Sequence, residues 1–215
     1  MNVAAGQGWA LSADAKWVLV SPHAPYRELV LVPTGAGEAQ PQPAGPIVEY
    51  GGAVFTPDAR RFVVMGREEG KPWRLWVQTA GEPPRPIGED GMTLARSAGV
   101  SPDGGRVAAV ARDGVPVVVP LDQGTYVALE GLQPGDILFA FTQDGKGFYV
   151  VHPSDNGVWL GSYDAETHKI TRLRDAPVSS QGGNAGAAFM ARDGKSYAFS
   201  TQVNGSDVYL VRGLR

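Results

Sequence analysis

Four acidic residues are spaced so that one falls in each interval between repeated segments of the chain: Glu49, Asp90, Asp136 and Asp175. Acid/base hydrolysis of a glycosidic bond needs two carboxyl groups about 5–9.5 Å apart, and carboxyls on neighbouring loops could supply them. Polar loops of any protein carry acidic residues, so their presence alone favours no activity. The sequence has no Gly-x-Ser-x-Gly, His-Glu-x-x-His or Gly-x-x-x-x-Gly-Lys-Ser/Thr motif. We therefore expect no catalytic residue, with a glycan-hydrolysing site as the alternative.

A second group of residues combines aromatic and charged side chains. Trp73 lies in the segment 66–74 between Arg67 and Lys71 on one side and Arg74 on the other. An indole among charges can stack on a sugar or a peptide, although it can equally pack on its own sheet. Similar segments elsewhere in the chain add further candidates. The expected ligand-binding or partner-binding residues are Tyr26, Arg67, Lys71, Trp73, Arg112 and His152.

Composition limits the kinds of partner and site. The 215 residues carry 19 Lys+Arg and 22 Asp+Glu, a net charge of −3, which argues against a nucleic-acid footprint. The absence of cysteine excludes a thiol nucleophile and a cysteine-based zinc site, and His23 and His152 lie too far apart in the repeats to share a metal. We expect no metal and no cofactor. Neither a membrane span nor a signal peptide is evident.

One short phrase recurs five times and sets the period of the chain. It reads Ser/Thr/Ala-x-Asp-Gly/Ala-x, and its aspartates are 44, 45, 41 and 49 residues apart: Asp14, Asp58, Asp103, Asp144 and Asp193. Because Asp-Gly favours tight hairpin turns, we interpret these aspartates as turn formers and not as catalytic acids. A period near 45 residues indicates propeller blades or helical arrays. Gly 29 and Pro 17, about a fifth of the chain, argue for the blades.

Each repeat also carries three strand-length apolar runs and a weaker fourth. In the second repeat these are 53–55, 62–65, 75–77 and 83–87, and the third repeat is expected to begin its first strand at 98–100. We call these strands A to D of a blade, with A innermost. Runs that are apolar on both faces suit strands packed between neighbouring sheets. The proline-rich fourth run of the first repeat (Pro41, Pro43 and Pro46) suits only an edge strand. The fold class is therefore all-β, with four-stranded antiparallel blades.

The repeats resemble those of the TolB-like, WD-repeat-like β-propeller family, whose blades carry Ser-Pro-Asp-Gly-Lys between strands A and B. Ser101-Pro-Asp103-Gly is the closest copy, while Ala15 and Ala59 replace the glycine and predict a different turn there. The segments 32–38 and 206–215 are similar to the C-terminal propeller of bacterial Ser/Thr protein kinases. The chain itself has no kinase signature. The resemblance implies the sensor or interaction part of a larger bacterial signalling protein, with an extracytoplasmic location slightly favoured.

The number of strands poses a question of ring closure. The fifth repeat stops at its third strand, so a closed five-bladed ring needs residues 2–5 as the missing outer strand. The alternative is a piece of a larger ring that must associate. We expect a single domain over 1–215, a closed five-bladed ring and a monomer. Its expected function is ligand sensing or protein–protein interaction through the loops at one rim, without membrane or nucleic-acid contacts. A small glycan-binding or glycan-hydrolysing propeller is the alternative.

Overall fold

A computed structural model describes residues 6–95, 98–122, 125–154, 157–176, 184–190 and 197–202. These residues form 18 β-strands and no helix, so none of them belongs to a helix that could cross a membrane. Four four-stranded antiparallel sheets and one two-stranded sheet follow one another along the chain. The expected closing strand 2–5, the Asp193 turn and the last expected strand at 208–211 lie outside the described residues.

Each four-stranded sheet is one blade, with its strands in chain order from A to D. Blade 1 comprises β1 (Gln7–Leu11), β2 (Trp17–Ser21), β3 (Val30–Pro33) and β4 (Gln40–Pro41). Blade 2 comprises β5 (Glu49–Phe55), β6 (Arg61–Arg67), β7 (Arg74–Thr79) and β8 (Arg85–Ile87). Blade 3 comprises β9 (Thr93–Leu94), β10 (Arg106–Val110), β11 (Pro116–Pro120) and β12 (Val127–Ala128). Blade 4 comprises β13 (Ile137–Phe141), β14 (Gly147–Ser154), β15 (Gly157–Asp164) and β16 (Lys169–Ala176). The strands β17 (Asn184–Met190) and β18 (Tyr197–Gln202) form the two-stranded sheet of the fifth repeat.

The middle strands of a blade bury both faces, as their apolar runs predict. In β6, Phe62 and Val64 pack towards blade 1, while Val63 between them packs towards blade 3. This follows from the two-residue period of a strand, which sends successive side chains to opposite faces. A third apolar cluster joins blades 3 and 4 around Val118 and Phe148. Blades 1 to 4 are therefore joined by a separate apolar core at each junction.

The inner strand of blade 3 differs from the prediction. A continuous strand at 98–100 was expected, but β9 pairs at 93–94 with β10, and further along only an isolated bridge joins Val100 to Val107. Gly99 has φ +64, which no strand residue adopts, and so the chain leaves the sheet between these two contacts. Met92 and Leu94, 1% and 7% exposed, fill the core between blades 2 and 3. The prediction was wrong because it placed this inner strand across Gly99, at 98–100, whereas the residues paired in the sheet are Thr93 and Leu94.

The recurring phrase forms the same hydrogen-bonded turn in blades 1 to 4. In blade 3, the buried hydroxyl of Ser101 donates to Oδ1 of Asp103 at 2.5 Å and accepts from the N–H of Arg106 at 3.0 Å. Oδ1 of Asp103 also accepts from the N–H of Gly105 at 2.9 Å. The equivalent hydroxyl–carboxylate bonds of the other blades measure 2.7, 2.6 and 2.6 Å and are made by Ser12–Asp14, Thr56–Asp58 and Thr142–Asp144. The described turn aspartates are thus structural.

The alanines in the first two turns do not change the turn, contrary to the prediction. Ala15 and Ala59 both have φ 57, close to the φ of 73 and 71 at Gly104 and Gly145. The N–H of each residue donates 2.9 Å to the carbonyl three residues earlier, as the two glycines do. An alanine in this left-handed conformation carries a cost of about 1–2 kcal/mol that glycine avoids.

Replacing these alanines with glycine should therefore stabilise the protein. We expect Ala15→Gly and Ala59→Gly each to raise the free energy of unfolding by about 0.5 kcal/mol. Glycine relieves the strain of the folded turn, but it also gives the unfolded chain more conformational entropy, which offsets part of the gain. Chemical denaturation measures the change. Ala53→Gly, a buried strand position, is the matched control and should cost about 1 kcal/mol. Destabilisation by the two turn variants would show that the alanines are not strained.

The same turns predict a loss of stability in acid. The Ser/Thr hydroxyl first, and then a backbone N–H, hold the pKa of four turn carboxyls below the ordinary value of 3.8: Asp14, Asp58, Asp103 and Asp144. A lowered folded-state pKa gives stability that is present above about pH 4 and is lost as pH falls through the folded pKa. We expect the melting temperature to fall below pH 4, and to fall less steeply when all four residues are changed to Asn. Parallel acid profiles for the two proteins would contradict this.

Candidate functional site

The candidate site lies on the rim at which the A strands begin and the B strands end. We call this the loop rim. Its loops after the B strands are residues 22–29, 68–73 and 111–115, and its loops before the A strands are residues 42–48, 88–92 and 129–136. The strand ends that adjoin these loops also belong to it. The loops are shorter than predicted, since Arg67 and His152 lie on β6 and β14 and not in loops. Their side chains are therefore positioned by the ladders of the sheets.

In blade 4, the loop rim carries a buried carboxylate and a histidine. Oδ1 of Asp136, whose side chain is 1% exposed, forms a short hydrogen bond with Nδ1 of His152, and its Oδ2 accepts from the N–H of Gln133 at 2.8 Å. The imidazole ring lies 4.8 Å from the indole of Trp159, its cross-strand neighbour on β15. Arg172 of β16 lies 5.7 Å from that indole. A carboxylate, an imidazole, an indole and a guanidinium are thus placed in sequence across the sheet.

Blade 2 repeats this arrangement with different residues. Glu49 at the start of β5 binds Nε of Arg67 at 2.9 Å and one of its terminal nitrogens. The guanidinium lies 5.1 Å from the indole of Trp73. The sequence carries a signal of this repetition, because Trp73 and Trp159 each come 15 residues after a turn aspartate (73 − 58 and 159 − 144). Sequence reasoning missed the pairing of each cation with a carboxylate.

Both tryptophans are packed on their own blades. A Cβ atom on Gly51 would lie 3.1 Å from the indole of Trp73, and one on Gly161 would lie 2.6 Å from that of Trp159. With the cation nearby as well, the indoles are half-buried supports for charged groups, as the simpler interpretation of Trp73 predicted. Part of each indole is therefore covered by its own blade.

The other candidate residues lie apart from these groups. Tyr26 is half-buried and packs edge-on against Trp9 at 5.3 Å in blade 1. Lys71 forms a 2.8 Å ion pair with Glu68. Arg112 lines a surface cleft of about 420 Å³ in blade 3. Of the six predicted residues, the structure thus brings only Arg67 and Trp73 into direct contact with each other.

Two open clefts interrupt the loop rim. The first, of about 440 Å³, lies at the junction of blades 1 and 2 and is lined by Arg27, Val48, Glu49, Arg67, Glu68, Glu69 and Gly70. The second is the blade 3 cleft, lined by Glu89, Asp90, Met92, Ala111, Arg112, Asp113 and Tyr126. Within the described ranges, the side chains of Arg27, Glu69 and Arg112 have no hydrogen-bond or ion-pair partner. Each cleft therefore offers charges that are free to bind a ligand.

Each of the four acidic residues considered for hydrolysis pairs with a basic side chain, namely an arginine or, for Asp136, His152. Besides Glu49 and Asp136, Asp90 lies 3.2 Å from Arg74, and Asp175 pairs with Arg172. The pairs differ in burial, since Asp136 is buried and Asp175 is 77% exposed. Burial determines how much a pair matters to stability.

Removal of these two carboxylates should have unequal effects on folding. We expect Asp136→Ala to lower the free energy of unfolding by about 2 kcal/mol, because the N–H of Gln133 and the His152 ring lose the buried carboxylate that accepts from them. Asp175→Ala, the matched control in an exposed pair, should cost less than about 0.5 kcal/mol. Denaturant titration of both variants measures the difference. Equal small losses would mean that Asp136 is not the anchor of this part of the rim.

Three solved structures share the arrangement of the chain. A candidate TolB from Agrobacterium tumefaciens aligns with a TM-score of 0.67 at 14% identity, over 90% of this chain and 79% of that one. TolB from Acinetobacter baumannii aligns with a TM-score of 0.58 at 17% identity, over 91% of this chain and 54% of that one. An oligogalacturonate lyase from Vibrio parahaemolyticus aligns with a TM-score of 0.67 at 15% identity, over 87% of this chain and 56% of that one. The chain spans just over half the length of the last two proteins.

No family model matches the sequence, and no curated protein matches it. Sequence identities of 14–17% carry the fold and not the activity. The repeats, the four-stranded blades and the structural neighbours agree, and they confirm the expected resemblance: this chain has the TolB-like β-propeller fold.

Proposed function

We propose that the chain is a non-enzymatic interaction module that binds a protein partner or a small ligand on its loop rim. One observation carries this proposal: the rim combines ion pairs held on rigid strands with two clefts that present unpaired charges. Binding groups that are already in place lose little entropy when a partner arrives, which favours affinity. The turn rim opposite repeats the same hydrogen-bonded geometry in the four described hairpins, and a smaller cleft of about 330 Å³ lies there in blade 4, beside Asp144 and Lys146.

We further propose that the fifth repeat completes a closed five-bladed ring, which makes the module a monomer. The resemblance of two segments to kinase-linked propellers supports a role as the sensor or interaction part of a larger bacterial signalling protein. In such a protein, a rigid ring lets the loop rim vary in sequence without disturbing the buried strands. The neighbours described as TolB are consistent with a partner-binding propeller.

The first test is a thermal-shift screen of the purified chain against peptides, sugars, nucleotides and divalent metals, with a chelator control. A ligand present at 100 times its Kd adds about 2.7 kcal/mol of stability, so a binder should raise the melting temperature in a saturable way. If no small ligand binds, a pull-down with immobilised chain identifies a protein partner by mass spectrometry.

Variants then locate the binding surface. We expect Arg27→Ala and Arg112→Ala each to weaken binding about tenfold if the ligand uses the corresponding cleft, without a change in melting temperature. Lys16→Ala on the turn rim, where the side chain is 75% exposed, is the matched control and should bind as the wild type does. Unchanged affinity in both rim variants would overturn the assignment of binding to the clefts.

Glycan binding or cleavage is the second candidate function, and one arrangement favours it. Buried Asp136 holds Nδ1 of His152, which leaves Nε2 of a partly exposed ring without a partner among the described residues. An imidazole oriented by a carboxylate can accept a proton from a substrate. Incubation with acidic and neutral oligosaccharides, followed by product analysis, tests this. Turnover that is lost in His152→Gln and kept in His23→Gln would replace the first proposal, and absence of turnover would leave it standing.

A further inference from the structure

The outer strand of blade 4 is unlike the outer strands of the other three blades. β16 has eight residues, whereas β4, β8 and β12 have two, three and two. Proline also limits the shorter edges, at Pro41 in β4 and Pro86 in β8. Short strands, prolines, charged side chains and bulges are the usual means by which proteins prevent other chains from pairing with an exposed sheet edge. β16 is long and has no proline, although it carries charges and one bulge.

The outer edge of β16 is available for pairing. The strand is last in the sheet order, and none of the strands in the described ranges pairs with its far side. An edge of this kind presents a row of backbone N–H and C=O groups to solvent. A bulge opposite Leu160 and Gly161 leaves Leu173 without a partner in the register, so the edge divides into Lys169–Arg172 and 174–176. The first segment alone is long enough to hold four residues of an added strand.

The side chains of β16 indicate the chemistry of a partner. Three of its eight residues are cationic and one is acidic: Lys169, Arg172, Arg174 and Asp175. Arg172 pairs with Asp175 and Arg174 also has a partner, so Lys169 is the cation of this strand that is available to a new chain. Leu173 is 49% exposed, which makes it one of the few large apolar side chains left in solvent within the described ranges. A partner strand with acidic residues and an apolar side chain would complement both features. A second copy of β16 would place cations opposite cations, which is unfavourable in a sheet.

We propose that the edge of β16 binds an extended acidic segment of a partner protein as a fifth strand of blade 4. Backbone hydrogen bonds would supply the affinity, and Lys169 and Leu173 would supply the preference for acidic and apolar side chains. This surface runs between the two rims, and the inference goes beyond the proposed function of the loop rim.

The test uses a blocked seven-residue peptide of alternating Glu and Val, with fluorescence anisotropy as the measurement. Two derivatives carry N-methyl groups on alternate amides, one on each edge of the peptide strand. An added strand uses the amides of one edge only, so we expect one derivative to bind at least about tenfold more weakly and the other to bind as the parent does. The protein is the same in all three titrations, which removes misfolding as an explanation.

Charge reversal supplies the second arm. Lys169→Glu should weaken binding of the Glu/Val peptide and strengthen binding of a Lys/Val peptide, while Lys16→Glu on the turn rim, where the side chain is 75% exposed, is the matched control and should change neither. Equal affinity of both N-methylated derivatives would mean that charge alone attracts the peptide and would overturn strand addition. Absence of parent-peptide binding, or parent binding unchanged by Lys169→Glu, would also overturn the proposal. Failure of the loop-rim screen would leave it intact.

Discussion

The structure depends on one constraint: the middle strands of blades 2 and 3 bury both of their faces between neighbouring blades. In β6, Val63 packs towards one neighbouring blade while Phe62 and Val64 pack towards the other, and all three side chains are fully buried. An isolated blade would expose both of these apolar faces, so blades 1 to 4 are stable only as a stack. The packing fixes the distance and tilt between neighbours. Positions at the strand ends are therefore held in place by a core that they do not touch.

The two rims use this rigidity differently. On the turn rim, a buried Ser/Thr hydroxyl bridges an aspartate and a backbone N–H in each of the four described hairpins, as at Ser101 and Asp103. This network engages the Ser/Thr hydroxyl and the aspartate of each described turn in structural hydrogen bonds. On the loop rim, the same ladders place unlike residues at equivalent positions, namely Arg67 in blade 2 and His152 in blade 4. The described blades thus share the geometry of their turns and differ in the side chains that they present on the loop rim.

The period, the hairpin turns and most strands could be predicted from the sequence because they depend on local patterns of apolar and turn residues. The inner strand of blade 3 could not, since Leu94 is recruited by a core formed with blade 2 and the glycine at 99 interrupts the expected strand. The prediction of a different turn at Ala15 failed for a related reason. The hydrogen bonds of the turn outweigh the preference of alanine for a negative φ. The cation–carboxylate pairs were missed because they join residues 16 to 18 positions apart, and only the register of the sheet makes them neighbours.

The indoles explain how these pairs are kept at a fixed place. A long side chain such as that of Arg67 loses much rotamer freedom when it is held by a single carboxylate, and an exposed pair of this kind contributes little by itself. Trp73 supplies a flat, half-buried surface beside the guanidinium, and Gly51 leaves the space in which the indole lies. Trp159 and Gly161 do the same for His152. The tryptophans therefore act as supports that keep the Arg67 and His152 side chains in place on their blades.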